Sequence, residues 1–162
     1  MDFFSGAVMQ YPITKQGYEN LKKEIEFLRN TKRPKLLLAI EEARAHGDIS
    51  ENAEYEAAKE ELQFLLKKLG ELDEQVSKSE IREVKAPQNG TVEFGNCVCL
   101  KNLDTDEEAV YTVVGPYECD IQKGTISISS PLGRALLGKG VGDEVKFSAP
   151  GGERTYEIIK VE

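Results

Sequence analysis

The chain has 162 residues, a formal net charge of −8 at pH 7, and 40% hydrophobic against 31% charged residues. This length permits one or two folded domains, and the composition is that of an ordinary folded protein without a membrane-spanning segment. The acidic balance excludes a protein that coats nucleic acid through a broad basic surface, because phosphate neutralisation requires clustered lysine and arginine.

The first predicted element is a helix that begins after Thr14, whose hydroxyl suits the N-cap position. Residues 1–8 lack the pattern of a signal peptide and are interpreted as an extension. Two apolar stripes follow the helical period: Leu21, Ile25 and Leu28, then Leu36, Ile40 and Ala43. The stripes are offset by one position. Pro34 lies between them and is expected to kink the helix, which turns the second stripe toward the same partner.

The second predicted helix carries a coiled-coil seam, in which apolar residues recur in alternating steps of three and four. These residues are Tyr55, Ala58, Leu62, Leu65, Leu69, Leu72 and Val76. Only the segment 46–50 separates the two helical runs, and Gly47 is suited to end the first of them. We therefore predict an antiparallel helical hairpin with a short connection.

The connection carries Asp48 and, three positions later, Glu51. At this spacing both carboxylates are expected on one side of the returning helix. They form part of a magnesium site, because Mg²⁺ accepts one or two protein carboxylates and takes its other ligands from water and substrate phosphates. The competing interpretation is a capping box with Asp48 as the N-cap, or Ser50 as the N-cap with Asp48 left free. His46 is expected to be a solvated turn residue.

A linker at 85–90, with Pro87 and Asn89-Gly90, ends the helical pattern. Short β-rich runs separated by turns follow it: Thr91–Phe94, Cys97–Leu100, Val110–Val114, Ile126–Ile128, Val145–Phe147 and Tyr156–Ile159. One short helix is predicted at Pro131–Leu137, with Ser130 as its N-cap.

The three cysteines, Cys97, Cys99 and Cys119, occur without a Cys-x-x-Cys pair. Their number and spacing disfavour a disulfide framework and a zinc site. Cys97 and Cys99 are expected on one side of a strand, as thiols in or near the core.

Together these elements predict an α+β fold. Residues 1–84 form an N-terminal antiparallel α-helical coiled-coil hairpin, with residues 1–8 as an extension, and a linker follows at 85–90. Residues 91–162 form a small antiparallel-sheet domain with one short helix.

Two long motifs resemble the Gre family of transcript-cleavage factors. They are the run Glu42–Lys59 and the block Ser129–Lys139, which is followed by Gly142-Asp143 and Pro150–Gly152. The resemblance extends from Met9 to the C terminus. It favours the A type of the family, because the basic patch near the tip, Arg44 and Lys59, is small. It implies an FKBP-like C-terminal domain docked on bacterial RNA polymerase, and a helical prong that enters the secondary channel of the polymerase.

The resemblance also implies roles for individual residues. Asp48 and Glu51 would act in trans at the polymerase active site, where they help to hold a catalytic Mg²⁺ shared with the polymerase and bound weakly by this chain alone. Arg44 and Lys59 match a basic patch that contacts the 3′ end of the nascent RNA. On the residues alone, Arg44 and Lys59 fit ion pairs with neighbouring glutamates equally well. The expected protein is an accessory factor and not an enzyme, a cytoplasmic monomer with no tightly bound cofactor and no membrane partner.

Two other functions stay open. A related prong can plug the channel and inhibit the polymerase, although the separation of the two carboxylates by Ile49 and Ser50 favours stimulation. Alternatively, the heptad seam belongs to a dimerising coiled-coil scaffold with no role at the polymerase.

Overall fold

The computed structural model describes residues 10–47 and 52–162. These residues form two compact units: a helical unit, Glu19–Lys78, and a sheet unit made of residues 10–18 together with Ser79–Glu162. No helix within the described ranges is long and apolar enough to span a membrane. The predicted fold class, α+β with an N-terminal helical hairpin, is confirmed.

The hairpin consists of three α-helices and one π-helical segment. Helix α1 spans Lys15–Phe27, the π-helical segment Leu28–Lys32, α2 Arg33–Ala45 and α3 Ala53–Ser77. Thr14 is the N-cap of α1, as predicted, since its hydroxyl oxygen accepts a hydrogen bond from the Gly17 N–H at 3.0 Å. Near the tip Asn52 contacts Ala43, and farther back Arg29 pairs with Asp73, so α2 and α3 run antiparallel.

The heptad seam of α3 is confirmed by its burial. Leu65, Leu69 and Leu72 are buried, and the other seam residues are half-buried. On the partner helices the residues of both predicted stripes are buried or nearly so: Leu21, Ile25, Leu28, Leu36, Ile40 and Ala43. Because the seam is satisfied within one hairpin, its apolar residues need no second chain.

The π-helical segment explains the offset between the two stripes. The Arg33 N–H donates to the Leu28 carbonyl, one residue farther back than in an α-helix. A π-helical turn therefore absorbs one additional residue, which returns Leu36 to the face that carries Leu28. Pro34 lies in the first turn of α2 and has no N–H to donate to the preceding turn. The second stripe was predicted to be realigned by a kink at Pro34. It is realigned instead by the π-helical turn just before the proline.

The sheet unit contains a five-stranded sheet in the order β5-β4-β3-β7-β6 and a separate two-stranded sheet. The paired short strands are β1, Tyr11–Ile13, and β2, Ser79–Ile81. The larger sheet comprises β3, Cys97–Asn102; β4, Glu108–Val114; β5, Thr125–Ser127; β6, Glu144–Ala149; and β7, Gly152–Val161. Helix α4 spans Pro131–Leu136, and Ser130 caps it as predicted by accepting the Gly133 N–H at 3.0 Å.

The larger sheet is mixed, whereas the prediction was wholly antiparallel. Strand β3 pairs antiparallel with β4 and β7, but β5 runs parallel to β4. The connection 115–124, which includes a 3₁₀ turn at Ile121–Lys123, carries the chain back to the level of Thr112, opposite which β5 begins. Parallel neighbours require such a return.

Alternation along β3 separates a core face from an outer face. Val98 and Leu100 are fully buried in the core of the sheet unit, and Cys97 and Cys99 alternate with them and are half-buried. The two thiols share a side, as predicted, but that side is opposite the core. The remaining buried core residues are Val92, Val113, Ile126, Leu136, Val145, Tyr156 and Ile158.

One predicted strand is absent from the sheet unit, and two short strands are additional to the prediction. The run Thr91–Phe94 is buried at Val92 and Phe94, yet it forms a single bridge between Thr91 and Gly140 and no strand. Strands β1 and β2 were not predicted. The structure groups both with the sheet unit.

Leu72 provides a test of the seam. Leu72→Ala should lower the free energy of unfolding by about 2–5 kcal/mol, because the side chain is 1% exposed and its removal leaves a cavity. Leu66→Ala is the matched control: Leu66 is 44% exposed on the same helix and should cost less than about 0.5 kcal/mol. Urea denaturation followed by far-ultraviolet circular dichroism measures both, and equal costs would contradict the assigned seam.

Candidate functional site at the tip of the hairpin

The tip lies where α2 ends and α3 begins. Helix α2 ends at Ala45, His46 follows as its C-cap, and Gly47 has a φ of 140°, a value that side-chain-bearing residues rarely adopt. Gly47 therefore terminates the helix, as predicted. Asp48 and Glu51, with Ile49 and Ser50 between them, lie outside the described residues.

Asn52 closes the tip by joining the two helices. Its side-chain oxygen accepts hydrogen bonds from the N–H groups of Glu54 at 3.1 Å and Tyr55 at 3.2 Å, which makes Asn52 the N-cap of α3. Its side-chain amide donates to the Ala43 carbonyl at 2.5 Å, in the last turn of α2. One side chain thus satisfies orphan groups at the end of one helix and at the start of the next.

This arrangement corrects the two predicted capping schemes. The N-cap of α3 is neither Asp48 nor Ser50, since Asn52 fills that position. Helix α3 begins at Ala53, and the predicted placement of Asp48 and Glu51 on one side lies outside the described residues. The sequence contained the signal for the correct cap, because asparagine directly before a helical run is a preferred N-cap.

The charges around the tip follow the helix dipoles. Glu54 and Glu56 lie in the first turn of α3, at the positive end of its dipole, and Arg44 lies in the last turn of α2, at the negative end of its dipole. Both helix ends are therefore electrostatically complemented by described residues.

Arg44 and Lys59 are both exposed. Lys59 extends over the Tyr55 ring, with its ammonium nitrogen 5.3 Å from the ring centroid. Across the described ranges neither cation forms a salt bridge with a glutamate, which was the alternative interpretation. Farther back along the hairpin, Arg29 pairs with Asp73 at 3.0 Å and Lys32 with Glu61 at 3.7 Å.

The described ranges hold no group of three or more histidine, cysteine, aspartate or glutamate side chains that could bind a metal ion. The predicted metal ligands, Asp48 and Glu51, lie outside the described residues. Their oxygen donors suit Mg²⁺, but two carboxylates fill only part of an octahedral coordination sphere.

The sheet unit carries a separate apolar groove of about 350 Å³ beside α4. The rings of Phe147 and Tyr156 stack within it, with centroids 5.5 Å apart, and Arg154 is its charged lining residue. Leu132 and Ile126 contribute to its apolar wall. No sequence motif predicts a site here, and the residues that line the groove form no catalytic combination.

The fold and the tip together define a class of protein: a long helical hairpin with an acidic tip, joined to a small mixed-sheet unit. Two family models match the chain. One, described as transcription elongation factor, N-terminal, matches residues 11–81, and the other, described as transcription elongation factor, GreA/GreB, C-term, matches residues 87–162.

Individual relatives agree with these matches. Transcription elongation factor GreA of Chelativorans sp. (strain BNC1) is 48% identical over 151 residues, which cover 93% of this chain and 96% of the relative. The GreA of Brucella anthropi is 47% identical over 150 residues, with the same coverage of 93% and 96%. The chain therefore belongs to the GreA/GreB family of transcription elongation factors and is of the GreA type.

Among solved structures, the chain is similar to the GreA factor homolog 1 (Gfh1) protein of Thermus thermophilus. The TM-score is 0.44 at 27% sequence identity, and the similarity covers 94% of this chain and 99% of that chain.

Asn52 provides a test of the tip geometry. Asn52→Ala should lower the free energy of unfolding by about 0.5–2 kcal/mol, because α3 loses its N-cap and the Ala43 carbonyl keeps only the His46 N–H as a donor. Asn52→Asp should recover most of the loss, since aspartate also caps a helix, but it has no N–H for Ala43. Denaturation and amide hydrogen exchange at Glu54 and Tyr55 measure these effects. A fully stable Asn52→Ala variant would show that the observed bonds contribute nothing.

Proposed function

We propose that this protein is an accessory factor that inserts its hairpin tip into the secondary channel of RNA polymerase and stimulates the polymerase's own cleavage of backtracked nascent RNA. The observation that best supports the proposal is the capping of α3 by the neutral side chain of Asn52. Because Asn52 fills the N-cap position, neither Asp48 nor Glu51 is needed as the N-cap of α3.

The dimensions of the hairpin suit delivery of a tip to a distant site. Helix α3 has 25 residues, which corresponds to about 37 Å at the usual rise per residue. Two helices need far less length than this to bury a core. A stiff rod of this length is useful when its end must reach the bottom of a narrow channel.

The chemistry of the tip is that of an incomplete site. Asp48 and Glu51 would each direct carboxylate oxygens at a magnesium ion whose remaining ligands come from the polymerase, the RNA phosphate and water. In two-metal hydrolysis, bound magnesium activates the attacking water and stabilises the leaving oxygen. The contribution of this chain is to place two negative ligands where the polymerase lacks them, so the chain acts in trans and cleaves no free RNA.

Arg44 and Lys59 supply positive charge near the acidic tip. Both are exposed and unpaired with described acidic residues, so their charges are available to phosphate groups. In the proposed complex they contact the displaced 3′ end of the RNA. This local patch agrees with the net charge of −8, because the polymerase supplies most of the affinity for the transcription complex.

The same proposal covers the state of the free protein. It acts as a monomer, since the seam is buried inside one hairpin, and its magnesium is shared with the polymerase. It works in the cytoplasm, where its polymerase partner is found.

The tip carboxylates provide the test. Asp48→Asn and Glu51→Gln keep side-chain size and remove charge, and each should reduce factor-stimulated cleavage in stalled complexes by more than about tenfold, a loss typical of disturbed metal sites. Gel analysis of RNA released from backtracked complexes measures the rate. Glu54→Gln removes the same charge in the first turn of α3 and should leave the rate within about twofold, because a solvated helix-end charge contributes little.

The competing functions give different results in the same reactions. A channel-plugging inhibitor would slow nucleotide addition and leave cleavage unstimulated. A dimerising scaffold would sediment as a dimer at micromolar concentration and affect neither reaction. Unchanged cleavage by both tip variants would remove the proposed role of Asp48 and Glu51.

A further inference from the structure

The segment before α1 packs closely on the turn after β4. The Tyr11 and Tyr117 rings meet edge to face, with centroids 5.2 Å apart. A Cβ atom on Gly115 would lie 1.8 Å from the Pro12 carbonyl oxygen, so any larger residue at Gly115 would push the two backbones apart. These contacts lie entirely within the sheet unit.

Glu118, in the same turn, reaches the start of α1. Its carboxylate oxygen Oε2 accepts a hydrogen bond from the backbone N–H of Thr14 at 2.7 Å. Thr14 is the N-cap of α1 and accepts the Gly17 N–H through its own hydroxyl. Two N–H groups at the N-terminus of α1, those of Thr14 and Gly17, are thus bonded by two different side chains.

This pair of bonds is a capping box divided between distant parts of the chain. In an ordinary capping box, the glutamate occupies the third position of the helix and reaches back to the N–H of the N-cap residue. Here that third position is Gly17, and a Cβ atom on it would lie 2.2 Å from Oε2 of Glu118. The Glu118 carboxylate therefore occupies the space that a local side chain would fill.

The carboxylate is held there against a desolvation cost. Burial raises the pKa of Glu118, and the hydrogen bonds from Thr14 and from the Gly115 N–H oppose that rise. A solvated surface glutamate would avoid this cost. The absence of a side chain at Gly17 and the inward position of Glu118 are thus complementary features.

We propose that Glu118 is a positioning residue: it completes the capping box of α1 from the turn after β4 and so fixes the first turn of the helix that leads into the hairpin. Helix α1 continues without interruption to Phe27, so displacement of its first turn displaces the residues that follow. The consequence for RNA cleavage rests on the function proposed above, whereas the capping itself does not.

The first measurement is made on the free protein. Glu118→Ala should accelerate amide hydrogen exchange at Thr14 by about tenfold, the scale of a lost charge-assisted hydrogen bond. Glu118→Gln should retain most of the protection, because its amide oxygen accepts the same bond. Unchanged exchange at Thr14 in the alanine variant would overturn the proposal. This result does not depend on any role at the polymerase.

The second measurement separates positioning from helix capping. The double variant Gly17→Glu with Glu118→Ala moves the glutamate to the third position of α1, which restores a local capping box and removes the tie to the turn. It should recover amide protection at Thr14.

RNA cleavage is then measured in stalled complexes at saturating factor. With Glu118→Ala or with the double variant, the polymerase should cleave its RNA about tenfold more slowly than with the wild-type factor, because small misplacements of a reacting group are costly. Glu118→Gln should cleave at nearly the wild-type rate. A double variant that restores both protection and cleavage would show that Glu118 serves as a cap alone, which overturns the positioning role. Failure of the function proposed above is recognised separately, by full cleavage in the Asp48→Asn and Glu51→Gln variants.

Discussion

The structure depends on the apolar seam between α3 and the helices that precede it. Leu65, Leu69 and Leu72 are buried, as are the residues of the two preceding stripes, which a single regular helix would leave offset by one position. The π-helical segment Leu28–Lys32 corrects this mismatch by one residue. A continuous seam makes the hairpin stiff, and stiffness allows its end to be held in a defined place.

At the end of the hairpin, a neutral side chain performs the task that an acidic side chain often performs. Asn52 both caps α3 and binds the last turn of α2, so the tip is closed by hydrogen bonds that carry no net charge. The helix dipole still favours acidic residues nearby. Glu54 and Glu56 in the first turn of α3 supply that negative charge among the described residues.

Helices α1 and α3 are capped at their N-termini in different ways. Helix α3 is capped by a residue directly before it, whereas α1 shares its cap between Thr14 and the distant Glu118. A local cap stabilises a helix wherever the helix lies. A shared cap stabilises α1 only when the start of the helix lies against the turn that carries Glu118. The shared cap therefore also fixes the position of the first turn of α1 relative to that turn.

The sequence by itself determined the features that depend on neighbours a few residues away. These are the heptad spacing from Tyr55 to Val76, the caps at Thr14 and Ser130, and the helix end at Gly47. The parallel pairing of β5 with β4, the loss of a strand at Thr91–Phe94 and the capping of α1 by Glu118 depended on the tertiary structure. β1 and β2 each have three residues, too few to show a period. Contacts between distant residues leave no periodic signal in one sequence, so only packing decides them.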